Sequence, residues 1–396
     1  MTRSTLFRLA RARFGARRAA VSIYTMICAI PIIGIAAMAA DLGLLYSTKN
    51  QLQASADAAA MAAAWRLIDE GRVWGNTSGV ISASRSEAAR VAGLNVVLRS
   101  VPLINQNSGN SASGDLVLGY LSDPTNKTAS FDFSTPSQFN TVQLKVRRDS
   151  VLNGSIALSF ARLLGLPQTT MSATGTASFQ DHVRGWEVTG NSGNAGLLPL
   201  ALHVNYWNQL IAGTRTAGDN YRYDPTTKTV VAGSDGVPEL NLYPGSGGTQ
   251  LPPGNFGTVD IGSPNNSTAD ISRQIRDGVN ENDLSYFGGT FELGPNGTID
   301  VNGDTGLSAG IKDDLESIKG QPRTIPLFNM VQGPGNNSQF TVVGFAGIRI
   351  VNVRLTGSMK TKEVMIQPAM VVDDAAVATN GSGVSYYVYK PVMLVR

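Results

Sequence analysis

The chain has 396 residues, room for two ordinary domains beside a membrane anchor. Only 15% of residues are charged while glycine numbers 43 and proline 18, which suits a loop-rich β protein and excludes a charged helical bundle. The net charge of +3 is no nucleic-acid footprint, because Arg3, Arg8, Arg11, Arg13, Arg17 and Arg18 hold the excess and the remainder is slightly acidic.

Those arginines precede Ala19 to Ala40, a run without one charged residue. Such a run makes a helix of about 33 Å, enough to cross a bilayer core, so residues 19–40 are expected to lie in the lipid bilayer. The arginine asymmetry predicts a cytoplasmic N-terminus and extracytoplasmic domains, a single-pass arrangement in the bacterial inner membrane. A cleaved signal peptide is the competing reading; the length of the run and its helical continuation favour an uncleaved anchor. Cys28, the single cysteine, falls inside the span, so no disulfide supports the exported part.

Residues 41–71 keep the helical period, with no proline or glycine between Leu44 and Glu70, and read as an alanine-rich stalk. Leu45, Thr48, Leu52, Ala56, Ala59 and Ala63 share one face; Tyr46, Asn50, Gln53 and Asp57 lie near the other. Alanines bury little area but permit close approach of another backbone. Leu52, Ala56, Ala59 and Ala63 are therefore expected to contact a partner helix, from another copy or a related subunit, with a solvated spacer as the alternative. Ala36 with Ala40, and Ala39 with Gly43, add small pairs at the outer membrane boundary.

Gly71 to Gly79 reads as a turn, and Ser84-Arg85-Ser86-Glu87 matches a capping box opening a helix to Leu98. After a polar loop at Gly109 to Ser113, strands are expected at Asp115–Leu121, Ala129–Phe133 and Thr141–Arg147. Ser155 to Leu164 reads as a short amphipathic helix closed by Gly165, and Thr170 to Phe179 as a strand. Residues 72–185 then form a small α+β domain. Thr189 to Gly196 separates it from a β-rich domain at 195–396. That domain opens on loops rich in Gly, Pro, Asn and Thr at 213–267. It continues with a helix at Thr268–Val279, a hairpin around Pro295-Asn296-Gly297 and a helix from Ser308 to Lys319 stopped by Gly320. The strongest β signal closes the chain: Arg323–Val331, Gln339–Thr356, Glu363–Val372 and Val384–Leu394. Alternation in RIVNVRLTG predicts one covered and one wetted face there.

Catalytic signatures are missing. His182 and His203 are isolated and read as structural or surface residues, no stretch completes G-x-S-x-G, and Gly245-Ser246-Gly247 reads as a flexible loop. Gly333-Pro334-Gly335 lacks the Lys-Ser/Thr of a phosphate loop. Asp300, Asn302 and Asp304 resemble the start of a calcium loop, but glycine falls one position late and Ile311 stands where the bidentate Glu belongs. An Asx-rich turn is the simpler reading, so no metal and no cofactor are expected. N-x-S/T triplets such as Asn266-Ser267-Thr268 are usual in so Asn- and Thr-rich a chain.

Ala20-Val21-Ser22, Pro31, Asp41-Leu42-Gly43, Tyr46, Gln51-Leu52-Gln53 and Ala56-Asp57-Ala58-Ala59-Ala60 together resemble the N-terminal module of TadE/TadG-like Flp pilus-assembly proteins, over about residues 15–70. The resemblance implies a part in the Tad secretion system that builds bundle-forming pili, with other Tad proteins or further copies as partners. Two family features are absent: Asp270-Ile271-Ser272 and Asp283-Leu284-Ser285 both lack the last serine of a von Willebrand A metal site, and the fifth residue from Gly15 is Ala20, not the Glu of prepilin processing. The chain thus reads as an α+β protein, a transmembrane helix and helical stalk carrying two β-rich extracytoplasmic domains. Its expected role is structural, in anchoring or assembling a Flp-type pilus, and not enzymatic. An exported envelope-binding or sensing module on a Tad-type anchor is the alternative; an exported hydrolase is the weakest reading.

Overall fold

The computed structural model describes residues 4–395 other than 127, 191, 245–249, 252–255, 263–266, 306, 334–337, 359–360 and 380–384, and only the backbone of 4–23, 244 and 250–251. Arg3, Gly245–Gly247, Asn266, Gly306 and Pro334–Gly335 lie outside the described residues.

One helix, α1, runs unbroken from Ser4–Leu67 with Pro31 inside it. Its described apolar part begins at Tyr24 and is long and apolar enough to cross a membrane. Most of its side chains from Tyr24 to Ala40 are exposed, Ala37 being the buried exception. Past Asp41 the character changes: Leu52, Ala56, Ala59, Ala60, Ala63 and Leu67 are inaccessible or nearly so. The expected stalk is thus a core element of the first domain.

What covers it is the chain itself. After the 3-10 turn Glu70–Arg72, helix α2 (Thr77–Leu94) returns antiparallel to α1; Ser84 Oγ donates to the Ala63 carbonyl at 2.8 Å. Ala88 and Ala92 join the same core. The close helix approach expected of Leu52, Ala56, Ala59 and Ala63 does occur, but the helix is intramolecular. With that face fully buried, the expectation of a second chain there is revised. The capping box also shifts. Asn76 caps α2 by accepting from Gly79 N (3.2 Å), Ser84 lies buried in mid-helix, and Glu87 pairs with Arg90. The Ser-x-x-Glu spacing recurs by chance once a helix is already running.

A four-stranded antiparallel sheet backs the hairpin of helices: β1 (Leu116–Gly119), β2 (Thr141–Arg148), β5 (Met171–Ser178) and, from the far end of the chain, Met393–Leu394. Residues 129–133 make only an isolated bridge, Tyr120 with Asp132, in place of the expected strand. The expected helix at Ser155–Leu164 is instead a small hairpin. β3 (Ile156–Ala157) pairs with β4 (Gln168–Thr169), and the loop between them carries a 3-10 turn, Ala161–Leu164, ended by Gly165 at φ 87°.

The second domain is built on a sheet that closes. Leu200–His203 pairs with Phe256–Val259, that with Ile299–Asp304, and that with the long strand Ser338–Arg354. Pro322–Gln332 then bridges Ser338–Arg354 back to Leu200–His203. Closure removes the free edges of this five-strand ring. The strand Ser338–Arg354 is buried on both faces through its middle as far as Val351. The expected alternation appears beyond it, with Val351, Val353 and Leu355 buried, Asn352 half-buried and Arg354 and Thr356 exposed. Glu363–Pro368 and Leu240–Pro244 extend the sheet beyond the ring. Thr290–Glu292 and Ile299–Asp304 flank a turn with Gly297 at φ 76°, yet they enter different sheets instead of pairing as a hairpin. Ser267 caps the helix Thr268–Asp277, and Ser308 caps the 3-10 turn that leads into Lys312–Ser317.

Candidate functional site

Several residues of the N-terminal motif, Asp41, Gln51 and Gln53, fasten the first domain to α1, joined by Lys49 from between them. At Asp41, where the charge-free run ends, the carboxylate is buried and accepts the backbone N–H groups of Ser159 (3.0 Å), Phe160 (2.9 Å) and Ala161 (2.8 Å). Phe160 caps and Ala161 opens the 3-10 turn, so two of these three are donors that a short helical turn leaves unpaired at its start. Further along, Gln51 Oε1 accepts Leu98 N at 2.9 Å, tying α1 to the turn that follows α2. Lys49 Nζ donates to the Ser172 carbonyl at 2.7 Å, and Gln53 Nε2 donates to the Thr174 carbonyl at 2.9 Å and to Asp57 Oδ1 at 2.8 Å. Met393–Leu394 pairs only with residues 177 and 178 of β5, so Lys49 and Gln53 take carbonyls on the end it leaves open. At Gly175 the strand meets α1 so closely that a Cβ would stand 2.7 Å from the Ala56 carbonyl carbon.

A second fastening joins the far end of α1 to the second domain. Arg349 is 1% exposed, and its Nη1 donates to Glu70 Oε2 at 3.1 Å while Nη2 meets the other carboxylate oxygen. Its Nε donates to the Gly320 carbonyl at 2.8 Å, and the guanidinium lies over the Tyr223 ring at 3.7 Å. A buried charge so enclosed has a full set of partners.

Between these fastenings a cavity of about 430 Å³ opens where the domains meet, lined among others by Arg72, Phe179, Asp181, His182 and Tyr389. Burial pushes the Asp181 carboxyl up and the Arg72 guanidinium down. Tyr120 shares a 2.6 Å hydrogen bond with His182 Nε2, and burial, assisted by the Asp181 and Asp132 charges, pushes its hydroxyl up to about 12. The other histidine is structural. His203 Nδ1 accepts from Asn205 N at 3.2 Å to cap the helix Val204–Ile211, and Nε2 meets the Asn329 carbonyl at 3.1 Å.

Asp300, Asn302 and Asp304 lie on the strand Ile299–Asp304, not in a loop. Side chains two apart on a strand stand about 7 Å from each other, so the three cannot converge on one ion. Asp300 Oδ1 instead accepts the Thr341 hydroxyl across the sheet at 2.7 Å. No group of three His, Cys, Asp or Glu side chains suited to a metal occurs among the described residues. Asp283 pairs with Arg273 and closes a capping box with Asn280, so neither it nor Asp270, which bonds Ser267 Oγ at 2.6 Å, is placed as a metal ligand.

One carboxylate gives a pH signature. Asp260 is 5% exposed with Oδ2 unpartnered among the described residues, and burial, assisted by the Asp270 charge, pushes its pKa up to about 6. The unfolded carboxyl titrates near about 3.9, so the folded chain binds the proton more tightly between these values and stability falls as pH rises through that window. Asp260→Asn should raise the melting temperature at pH 7, by the equivalent of about 1 kcal/mol after screening, with no gain below about pH 4. Thermal melts across pH check this.

Sequence reasoning placed Asp41, Gln51 and Gln53 in the motif without assigning them partners, and it missed Glu70 and Arg349. A lone arginine in an apolar strand, Arg349 between Ile348 and Ile350, was the available signal. Comparison with known families places two matches on the N-terminal part. Residues 19–66 match the TadE/G-like Flp pilus-assembly family, and residues 53–177 match a second family of Tad-like Flp pilus-assembly proteins. No curated protein and no solved structure matches the chain. The two matched segments together cover α1 from Ala19, α2 and the sheet through β5, which is the unit held together by Asp41, Gln51, Gln53 and Gly175.

Proposed function

We propose that this chain is a membrane-anchored structural component in the assembly of a Flp-type pilus, acting by holding and presenting its domains and not by catalysis. The observation that carries the reading is the continuity of α1. A helix apolar enough to cross a membrane runs without a break into the core of the domain that the pilus-assembly families match. Asp41, Lys49 and Gln53 bind that domain to the helix, and Glu70 binds the second domain to its end. A flexible tether would let the domains drift; this one fixes their height and orientation over the bilayer. The arginine-rich segment before the span supports a cytoplasmic N-terminus with both domains outside the inner membrane. Partners on this reading are other pilus-assembly membrane proteins.

Protease added to spheroplasts should digest residues 72–396 while an N-terminal tag survives. A mature chain that begins after residue 40 would refute the anchor. Deletion of the gene should abolish assembled pili, and normal piliation in the deletion strain would refute the assembly role. The domain-seam cavity beside His182 and Asp181 supports a second reading, an envelope-binding module on the same anchor.

A further inference from the structure

The loop between β3 and β4 is the place where the folded domain meets the membrane span. It spans residues 158–167, and in it Leu163 is 83% exposed, Leu164 80% and Leu166 62%. Such a concentration of large apolar side chains at the tip of one hairpin is unlike the scattered apolar residues of an ordinary surface. The loop does not point into solvent at large. With Leu158, Phe160 and Leu164 on one side and Ile30, Ile33, Ala37 and Leu45 of α1 on the other, it encloses an apolar groove of about 710 Å³. Ile30 lies eleven residues before Asp41 on the helix, so the groove runs about 16 Å down the charge-free run at about 1.5 Å per residue. That is about half the thickness of a bilayer's hydrocarbon core.

Most of the backbone N–H groups of the loop are paired within the protein, as an environment without water favours. Asp41 accepts the N–H groups of 159–161. Those of 158, 163, 165 and 166 donate to carbonyls inside the loop, and Pro167 has none to satisfy. In lipid an unpaired backbone donor costs several kcal/mol, whereas a loop in water needs no such pairing. Arg162 is exposed on the same turn, with a side chain long enough to reach the headgroups from a shallow position.

We propose that residues 158–167 form an apolar finger that dips into the outer leaflet beside α1, clamped at its base by Asp41, with lipid acyl chains filling the groove. The inference rests on the membrane-anchor reading above and adds a second point of insertion. A single helix leaves a domain free to rotate about its axis; a finger held in the leaflet at one side stops that rotation and sets which face of the domain looks along the membrane.

The test uses the full chain in phosphatidylcholine liposomes. A Cys28→Ser background carries one environment-sensitive fluorophore on Leu164→Cys, Leu166→Cys, Ile33→Cys or Tyr286→Cys. The first three probes should be quenched several-fold more by brominated or doxyl-labelled lipid than by aqueous iodide, and the Tyr286→Cys probe the reverse. Because Leu163 and Leu164 are exposed, Leu163→Ser with Leu164→Ser should leave the fold intact and move the Leu166→Cys probe toward iodide. Lipid quenching at Ile33→Cys with iodide quenching at both loop positions overturns the finger and leaves the anchor standing. Iodide quenching at Ile33→Cys as well overturns both.

Discussion

Replacing Glu70 by alanine should loosen the second domain from the first. Arg349 is 1% exposed and its guanidinium meets no other carboxylate among the described residues, so loss of Glu70 leaves a buried cation with the Gly320 carbonyl and the Tyr223 ring as its described partners. Removing one partner of a buried pair costs about 3–5 kcal/mol. Glu70 keeps 26% of its side chain in solvent, which places the expected loss near the lower end, about 3 kcal/mol. Glu70→Gln retains acceptor and shape and should lose less. The loss should appear as a lower unfolding temperature of the second domain in calorimetry and as faster proteolysis near the domain seam. Arg349→Met removes the charge together with its need for a partner, so it should be milder than Glu70→Ala. An equal or larger loss in Arg349→Met would show that the ion pair is not what joins the domains.

Gly175→Val should damage the first domain more than any exposed substitution. The atom a side chain would add there meets Ala56 backbone atoms at 2.7 and 2.8 Å, and a backbone inside a long helix cannot move aside as a flexible side chain could. Overpacking of this kind costs about 1–3 kcal/mol, and valine, with two further carbons, belongs at or beyond the upper end. The change should also separate α1 from β5, with loss of the bonds from Lys49 and Gln53 to that strand. Hydrogen exchange at residues 172–176 would report the separation directly, and Gly175→Ala should give a smaller effect in the same direction. Full stability in the valine variant would mean that helix and strand are not held at this distance.

Several features were legible from local patterns because local sterics and solvation produce them. A run without charge from Ala19 to Ala40, an uninterrupted helical period to Leu67, and glycines at 165, 297 and 320 with positive φ all follow from neighbours within a few residues. The same holds for the strands at Pro322–Gln332 and Ser338–Arg354 and for Ser308 as a cap. The strand expected at Val384–Leu394, whose first residue lies outside the described residues, instead divides into Ser385–Tyr386, Val388–Tyr389 and Met393–Leu394, each pairing in a different sheet. The alanine face of α1 reads as one that invites close approach, and in the fold it is buried against this chain's own α2 and β5. Its partner could not be read, because the pattern says how near another backbone can come and not whose backbone it is. The tertiary structure supplies α2 and β5, and thereby turns an expected stalk into the core of a domain. The segment 155–164 shows the opposite failure. Its spacing suits a helix, but Asp41, 118 residues earlier, takes the N–H of Ser159, and its neighbours follow. A hydrogen-bond acceptor brought in from that distance changes the local choice, and no window along the sequence contains it. The pairing of Glu70 with Arg349 and the closure of the β ring are of the same kind. They depend on contacts between residues far apart in the chain, whose free energy exists only once the fold has assembled.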